Sequence, residues 1–162
     1  KNLKNYWLDG PINYLGLCIP GFPNLFTITG PGSPSVLSNM PVSIEQHVDW
    51  TTQCIQYCKD KKIDVLEADE DAAQDWITHV RETANATLLP RVKHSWYLGA
   101  NIPGKPRVFM PYAGGLVAYR QICSAVAQNG YAGFKFNRST HETKVEKIDL
   151  QQLRSLSLDI LS

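Results

Sequence analysis

Gly30-Pro-Gly-Ser-Pro-Ser-Val-Leu-Ser-Asn-Met40 is the stretch on which the reading of this chain turns. Directly before it, Leu25-Phe-Thr-Ile-Thr29 is rich in β-branched and aromatic residues and reads as a strand over 25–29. Gly-Pro-Gly then reverses the chain at the strand's end, the edge where open α/β sheets bind cofactors. A helix is expected over 41–59: Pro41 suits the first turn, Ser43 with Gln46 can form a capping box, and Ile44, Val48, Ile55 and Cys58 fall on one face. The start of such a helix offers unpaired N–H groups and a partial positive charge to an anionic ligand. Composition alone favours a Pro/Ser-rich loop capping an ordinary helix.

A second informative stretch is Ser95-Trp-Tyr-Leu-Gly-Ala-Asn-Ile-Pro-Gly-Lys-Pro-Arg-Val-Phe109. Gly99, Pro103, Gly104 and Pro106 let the chain change course, while Trp96 and Tyr97 supply large apolar contacts. A loop of that kind can fold over a bound molecule, exclude water and reopen. Read without context, Trp beside Tyr belongs to a core or an interface. Lys105 and Arg107 read as solvated charges rather than phosphate ligands.

Around these blocks the pattern predicts a strand at 12–17, a charged break at 59–62, helices at 69–89 and 116–129, and short strands at 107–111 and 131–136. Glu67, Asp69, Glu70 and Asp71 suit the positive end of the second helix, whose apolar stripe is Ala73, Trp76, Ile77, Val80, Ala84 and Leu88 before Pro90. Gly130 is a normal residue to follow the third helix. Beyond Asn137 the chain is polar, then spaces Leu150, Leu153, Leu156 and Ile160 at helical intervals.

The chain has 162 residues, 43% hydrophobic, with 16 basic and 15 acidic residues and a net charge of +1. That is enough for a core and shows no basic face, which argues against nucleic acid or a membrane surface as a partner. No apolar run reaches the roughly 18 residues a membrane span needs. Cys18, Cys54, Cys58 and Cys123 lack the companions of a metal site and read as buried thiols in a reducing cytoplasm. His47 reads as a solvated side chain, and His79, His94 and His141 suggest no triad. Tyr119-Arg-Gln121 reads as helix packing, and the acidic run at 67–75 as a solvated helix start. The glycosylation-like Asn85-Ala-Thr87 and Asn137-Arg-Ser139 are discounted.

Taken together, the two blocks resemble the C-terminal third of a Baeyer–Villiger monooxygenase, nearest the phenylacetone and steroid monooxygenase branch, over roughly residues 9–136. The resemblance implies an α/β fold (α+β for the segment by itself), helix-rich with a few strands, belonging to a flavoprotein with two Rossmann-type dinucleotide-binding domains. Residues 1–60 would complete the FAD domain, the strand at 25–29 joining a parallel sheet supplied by an absent N-terminal part. Residues 61–136 would form a helical extension with a mobile loop at about 93–110, and 137–162 a tail. The resemblance further implies that Met40 and Asn39 meet FAD, that Trp96 meets NADP, and that Ser35, Val36, Leu37 and Ser38 line the substrate pocket. No catalytic residue falls here, and FAD and NADPH would be held mainly by the N-terminal part. The implied reaction turns a ketone and dioxygen into an ester or lactone through a C4a-peroxyflavin.

No Gly-x-Gly-x-x-Gly follows a strand, and the chain opens Lys1-Asn-Leu-Lys-Asn-Tyr-Trp7 without an initiator Met, as a fragment would. A related N- or S-oxygenating flavoenzyme, or a non-catalytic binding module, are the alternatives.

Overall fold

A computed structural model describes residues 1–34, 37–92, 95–99, 102–104, 106–138 and 141–142. Its elements run α1 (Leu3–Tyr6), α2 (Met40–Asp60), β1 (Val65–Ala68), α3 (Glu70–Asn85), 3₁₀ turns at Leu89–Arg91 and Trp96–Leu98, α4 (Leu116–Gln128), β2 (Phe134–Arg138) and β3 (His141–Glu142). The sheet is antiparallel, ordered β1-β2-β3, with Val65 opposite Asn137 and Ala68 opposite Phe134. The segment is thus helix-rich with short strands. The spacing of the tail at 150–160 lies outside the described residues.

Helix α2 matches the expected span to within a residue at each end, but it is capped and faced differently. Asn39, not a Ser43–Gln46 box, caps it: its side-chain oxygen accepts the Val42 N–H at 3.4 Å. Ser43 is fully buried instead, its hydroxyl against that of Ser38. Ile44, Val48 and Ile55 do share a face, yet they are 40%, 47% and 44% exposed. The buried face carries Ser43, Gln46, His47, Trp50 and Cys54. Ser43, His47 and Trp50 can take the interior because each meets a partner there, Trp50 Nε1 donating to the Cys123 carbonyl at 2.9 Å, whereas Gln46 keeps its Oε1 buried without one among the described residues.

Helix α3 is capped by Asp69, whose carboxylate accepts the Asp71 and Ala72 N–H groups and pairs with Lys135 of β2 at 3.0 Å. Those contacts hold the Asp69 carboxyl below its usual range despite partial burial. The expected stripe is buried from Ala73 to Ala84, but the helix ends at Asn85, before Pro90, and Leu88 is exposed. Strand β1 arises from Val-Leu-Glu-Ala alternation, Leu66 and Ala68 inward, Glu67 outward to accept the Gly21 N–H at 2.7 Å.

The strands expected at 12–17, 25–29 and 107–111 do not form. In the first, Leu15 (φ 58°) and Gly16 (φ 70°) turn the chain back so that Tyr14 pairs with Cys18 in a tight hairpin. In the second, Asn24 and Thr29 carry φ of 58° and 52°, and only Phe26 makes a bridge, to Cys18. β-rich composition does not make a strand unless another strand lies alongside it. The third is extended backbone that bonds to loops rather than to a ladder. The strand expected at 131–136 begins at Phe134, after Gly133 turns beneath the Tyr14 ring.

The hairpin is the core's centre. Leu15 and Leu17 are fully buried among Trp50, Trp76, Tyr119 and Phe134. Its turn presses against the loop that opens the first motif: a Cβ on Gly16 would stand 2.8 Å from Ser33 Cβ and 2.9 Å from Ser33 N. Gly16→Ala should therefore destabilise the chain by about 1–3 kcal/mol, through strain at positive φ and a backbone clash. The urea midpoint measures this; a change under about 0.5 kcal/mol would show that the turn tolerates a side chain.

Candidate functional site

Two motif blocks some sixty residues apart meet at one pocket. Thr29, Gly30 and Pro31 from the first, with Trp96, Tyr97, Met110 and Pro111 from and just beyond the second, enclose about 170 Å³. Backbone hydrogen bonds sew the two sides together. Gly32 N–H donates to the Met110 carbonyl at 2.6 Å, and Tyr112 N–H to the Ser33 carbonyl at 2.7 Å. Trp76 of α3 donates from Nε1 to the Gly32 carbonyl at 3.2 Å while stacking on Tyr112 at 5.3 Å between ring centroids. A second apolar pocket, also about 170 Å³, lies across Pro31 and Met110 and is lined by Trp7, Leu98, Ile102 and Val108 among others.

The described residues of the second block are tied to their surroundings at several points. Ser95 caps its 3₁₀ turn, accepting the Tyr97 N–H at 3.2 Å, and Gly99 (φ 67°) ends it. Leu98 sits in a small cluster with Ala84 and Phe109, and Met110 N–H donates to the Tyr97 carbonyl at 2.9 Å. Trp96 stands at the rim with its ring 4.4 Å from that of Tyr97 and is 55% exposed, so of the two readings, core or interface, it is not core. Arg107 is exposed and donates to the Val92 carbonyl at 3.2 Å, while Lys105 lies outside the described residues.

The other residues singled out by the sequence group at the start of α2. Met40 is half-buried, Ser38 likewise, and Asn39 and Leu37 are exposed; Ser35 and Val36 lie outside the described residues. None of the described ones lines the Trp96 pocket. Pro41 has no N–H and the cap takes up that of Val42, so among the described residues nothing engages the Met40 N–H. A helix start suits an electron-rich ring edge, and an open indole at a pocket rim suits a planar ligand. The residues present fit a flavin and a nicotinamide nucleotide. No group of His, Cys, Asp or Glu among the described residues could hold a metal.

No protein-family model matches the chain. It is 36% identical over 142 residues to the cyclohexanone 1,2-monooxygenase of an Acinetobacter species, covering 88% of this chain and 26% of that protein. It is 39% identical over 134 residues to a phenazine N-monooxygenase of Lysobacter antibioticus, covering 83% and 24%. Among solved structures, an oxidized steroid monooxygenase bound to NADP superposes with a TM-score of 0.79 and 47% identity over 86% of this chain and 26% of that one. OTEMO in complex with FAD and NADP gives 0.77 and 31% over 85% and 25%. The chain belongs to the Baeyer–Villiger monooxygenase family. It spans about a quarter of the length of the curated relatives it matches.

In this monooxygenase segment the electrostatics next to the pocket centre on His47, and here the sequence misleads. Expected in solvent, His47 is fully buried. Its Nδ1 accepts the Thr29 N–H at 2.9 Å and its Nε2 meets the Tyr119 hydroxyl at 2.8 Å. Burial lowers its pKa from 6.5 to about 4. Tyr119 is driven well above its ordinary range by burial and Tyr112 to about 12. Cys123 is likewise pushed up by burial to about 12, so its thiol is not a nucleophile. Among the described residues no helix is long and apolar enough to cross a membrane.

The His47 shift has a sign. The fold favours the neutral ring, so its contribution is complete above pH 6.5 and is lost as pH falls from 6.5 toward about 4, where the unfolded chain binds the extra proton. The loss amounts to about 3 kcal/mol. Unfolding free energy followed across that window should fall more steeply in the wild type than in His47→Gln; parallel curves would contradict the buried neutral ring.

Proposed function

We propose that the chain is the C-terminal part of an FAD- and NADPH-dependent Baeyer–Villiger monooxygenase that converts ketones to esters or lactones. The observation that carries this reading is the single pocket that joins the Gly-Pro-Gly loop to the half-exposed Trp96. When bound, flavin reduced by NADPH supplies the electrons with which one oxygen atom of dioxygen enters the product and the other leaves as water. Everything else asked of this segment is orientation and exclusion of water.

Trp96 lays its indole against the nicotinamide and closes the rim, and Tyr97 backs it. The Met40 N–H meets the flavin ring, with Asn39 fixing the helix start. The positive end of α2 there favours negative charge on the ring by about 0.3–1 kcal/mol, and up to about 2 when partly buried. Leu37 and Ser38 line the ketone's pocket. Residues 1–60 complete the FAD domain, and the extension with its loop at about 93–110 runs from 61 past 136, through β2 and β3, to Glu142. The exposed Ile44, Val48 and Ile55 face of α2 packs on the nucleotide-binding portion, which holds most of both cofactors.

A second reading, oxygen transfer to nitrogen or sulfur, is favoured by the phenazine N-monooxygenase relative. Oxygen uptake by the full-length protein with ketones, amines and sulfides separates the two. Ketone turnover is expected, and exclusive N-oxidation would overturn the first reading. Trp96→Ala should raise the KM for NADPH roughly tenfold, about 1.4 kcal/mol, with the bound flavin retained; an unchanged KM would remove Trp96 from the nucleotide site.

A further inference from the structure

We propose that His47, which touches neither pocket, is a positioning residue that clamps the strained Thr29 and so fixes the Thr29–Pro31 edge of the Trp96 pocket. Its link to ligand binding rests on the function proposed above; its structural part does not.

Thr29 carries φ 52°. For a β-branched residue this is a backbone outlier costing on the order of 1–3 kcal/mol, and it lasts only where the surroundings enforce it. Here it lies at a pocket wall. Next to it, Gly30 has no room to absorb a change, since a Cβ there would meet the Gly16 carbonyl oxygen and Thr27 Oγ1 at 2.6 Å. The far end of the loop is held by Trp76 and Met110, at Gly32. At the near end the Thr29 N–H is held by His47 Nδ1.

The network assigns every proton. A backbone N–H can only donate, so Nδ1 is the bare nitrogen and Nε2 carries the hydrogen. Nε2–H therefore donates to the Tyr119 oxygen, and the Tyr119 hydroxyl donates to the Leu15 carbonyl at 2.6 Å. Leu15 is the left-handed residue of the hairpin turn, and Gly16 beside it carries the loop. One ring thus holds the loop directly through Nδ1, while Nε2 and Tyr119 tie the ring to the hairpin turn.

The two ring nitrogens can be removed separately in the full-length protein. His47→Asn keeps an acceptor where Nδ1 stands and loses the Tyr119 contact; His47→Gln does the reverse. Tyr119→Phe removes the lower arm alone. Amide hydrogen exchange at Thr29 and Gly30 is the first readout and NADP⁺ affinity by titration the second, with thermal midpoints as the control. His47→Gln should lose at least about tenfold in exchange protection at Thr29, on the order of 1.4 kcal/mol, and weaken NADP⁺ about fivefold. His47→Asn and Tyr119→Phe should stay within about twofold on both. The proposal is overturned if protection and affinity follow thermal stability alike in all three variants, or if none moves Thr29. Should the wild type bind no NADP⁺, the proposed function fails while the exchange measurement still decides the role of His47; if Gln does not fold, lost Thr29 protection in His47→Asn overturns it alone.

Discussion

The buried ring of His47 is the constraint on which the rest of the segment depends. It projects from α2, takes the N–H of Thr29 on one side and reaches Tyr119 of α4 on the other, and through Tyr119 it engages the Leu15 carbonyl of the hairpin. Four pieces distant in sequence therefore share one set of hydrogen bonds away from water. Such bonds add about 1 kcal/mol each when made, but breaking one strands a buried polar group at a cost of about 1–3 kcal/mol. The arrangement is stiff because no member can move alone.

That stiffness is passed to the loop that begins the first motif. The loop is bounded by Thr29 and Ser33, roofed by Trp76 and cross-bonded to residues 110–112, so the second motif is brought against it through backbone contacts that need no particular side chains. Side-chain identity matters instead at the rim, where Trp96 is open, and along α2, where an apolar face is left uncovered. Both features fit a chain that spans about a quarter of the length of its monooxygenase relatives. A rigid wall is built here, and under the proposed function the surfaces left bare are the ones given to the cofactors and to the nucleotide-binding portion.

Much of this was legible in the sequence. The extent of α2, the buried stripe of α3 from Ala73 to Ala84 and the end of α4 before Gly130 follow from periodicity and capping, and the two motif blocks carry the family resemblance. Strand β1 was missed because four residues give too short an alternation, and its Glu67 looked like part of a helix start. The strands expected at 12–17 and 25–29 fail because β-rich composition cannot reveal whether a neighbouring strand exists. The face of α2 was misjudged because hydropathy ranks Ile44 and Val48 above Ser43 and His47, whereas hydrogen bonds to Ser38, Thr29 and Tyr119 let those two go inside. A signal was present all the same: His47, Trp50 and Cys54 share a stripe at helical spacing. What no spacing could show is that the partner of His47 would be the backbone of Thr29.

The protonation state of His47 tests the account most directly, by nitrogen NMR of the selectively labelled ring in the full-length protein. The account predicts a neutral ring with Nε2 protonated and Nδ1 bare, unchanged as pH is lowered from about 8 to about 5, since titration waits until about 4. A ring protonated at both nitrogens near pH 6, or a neutral ring with its proton on Nδ1, would contradict it.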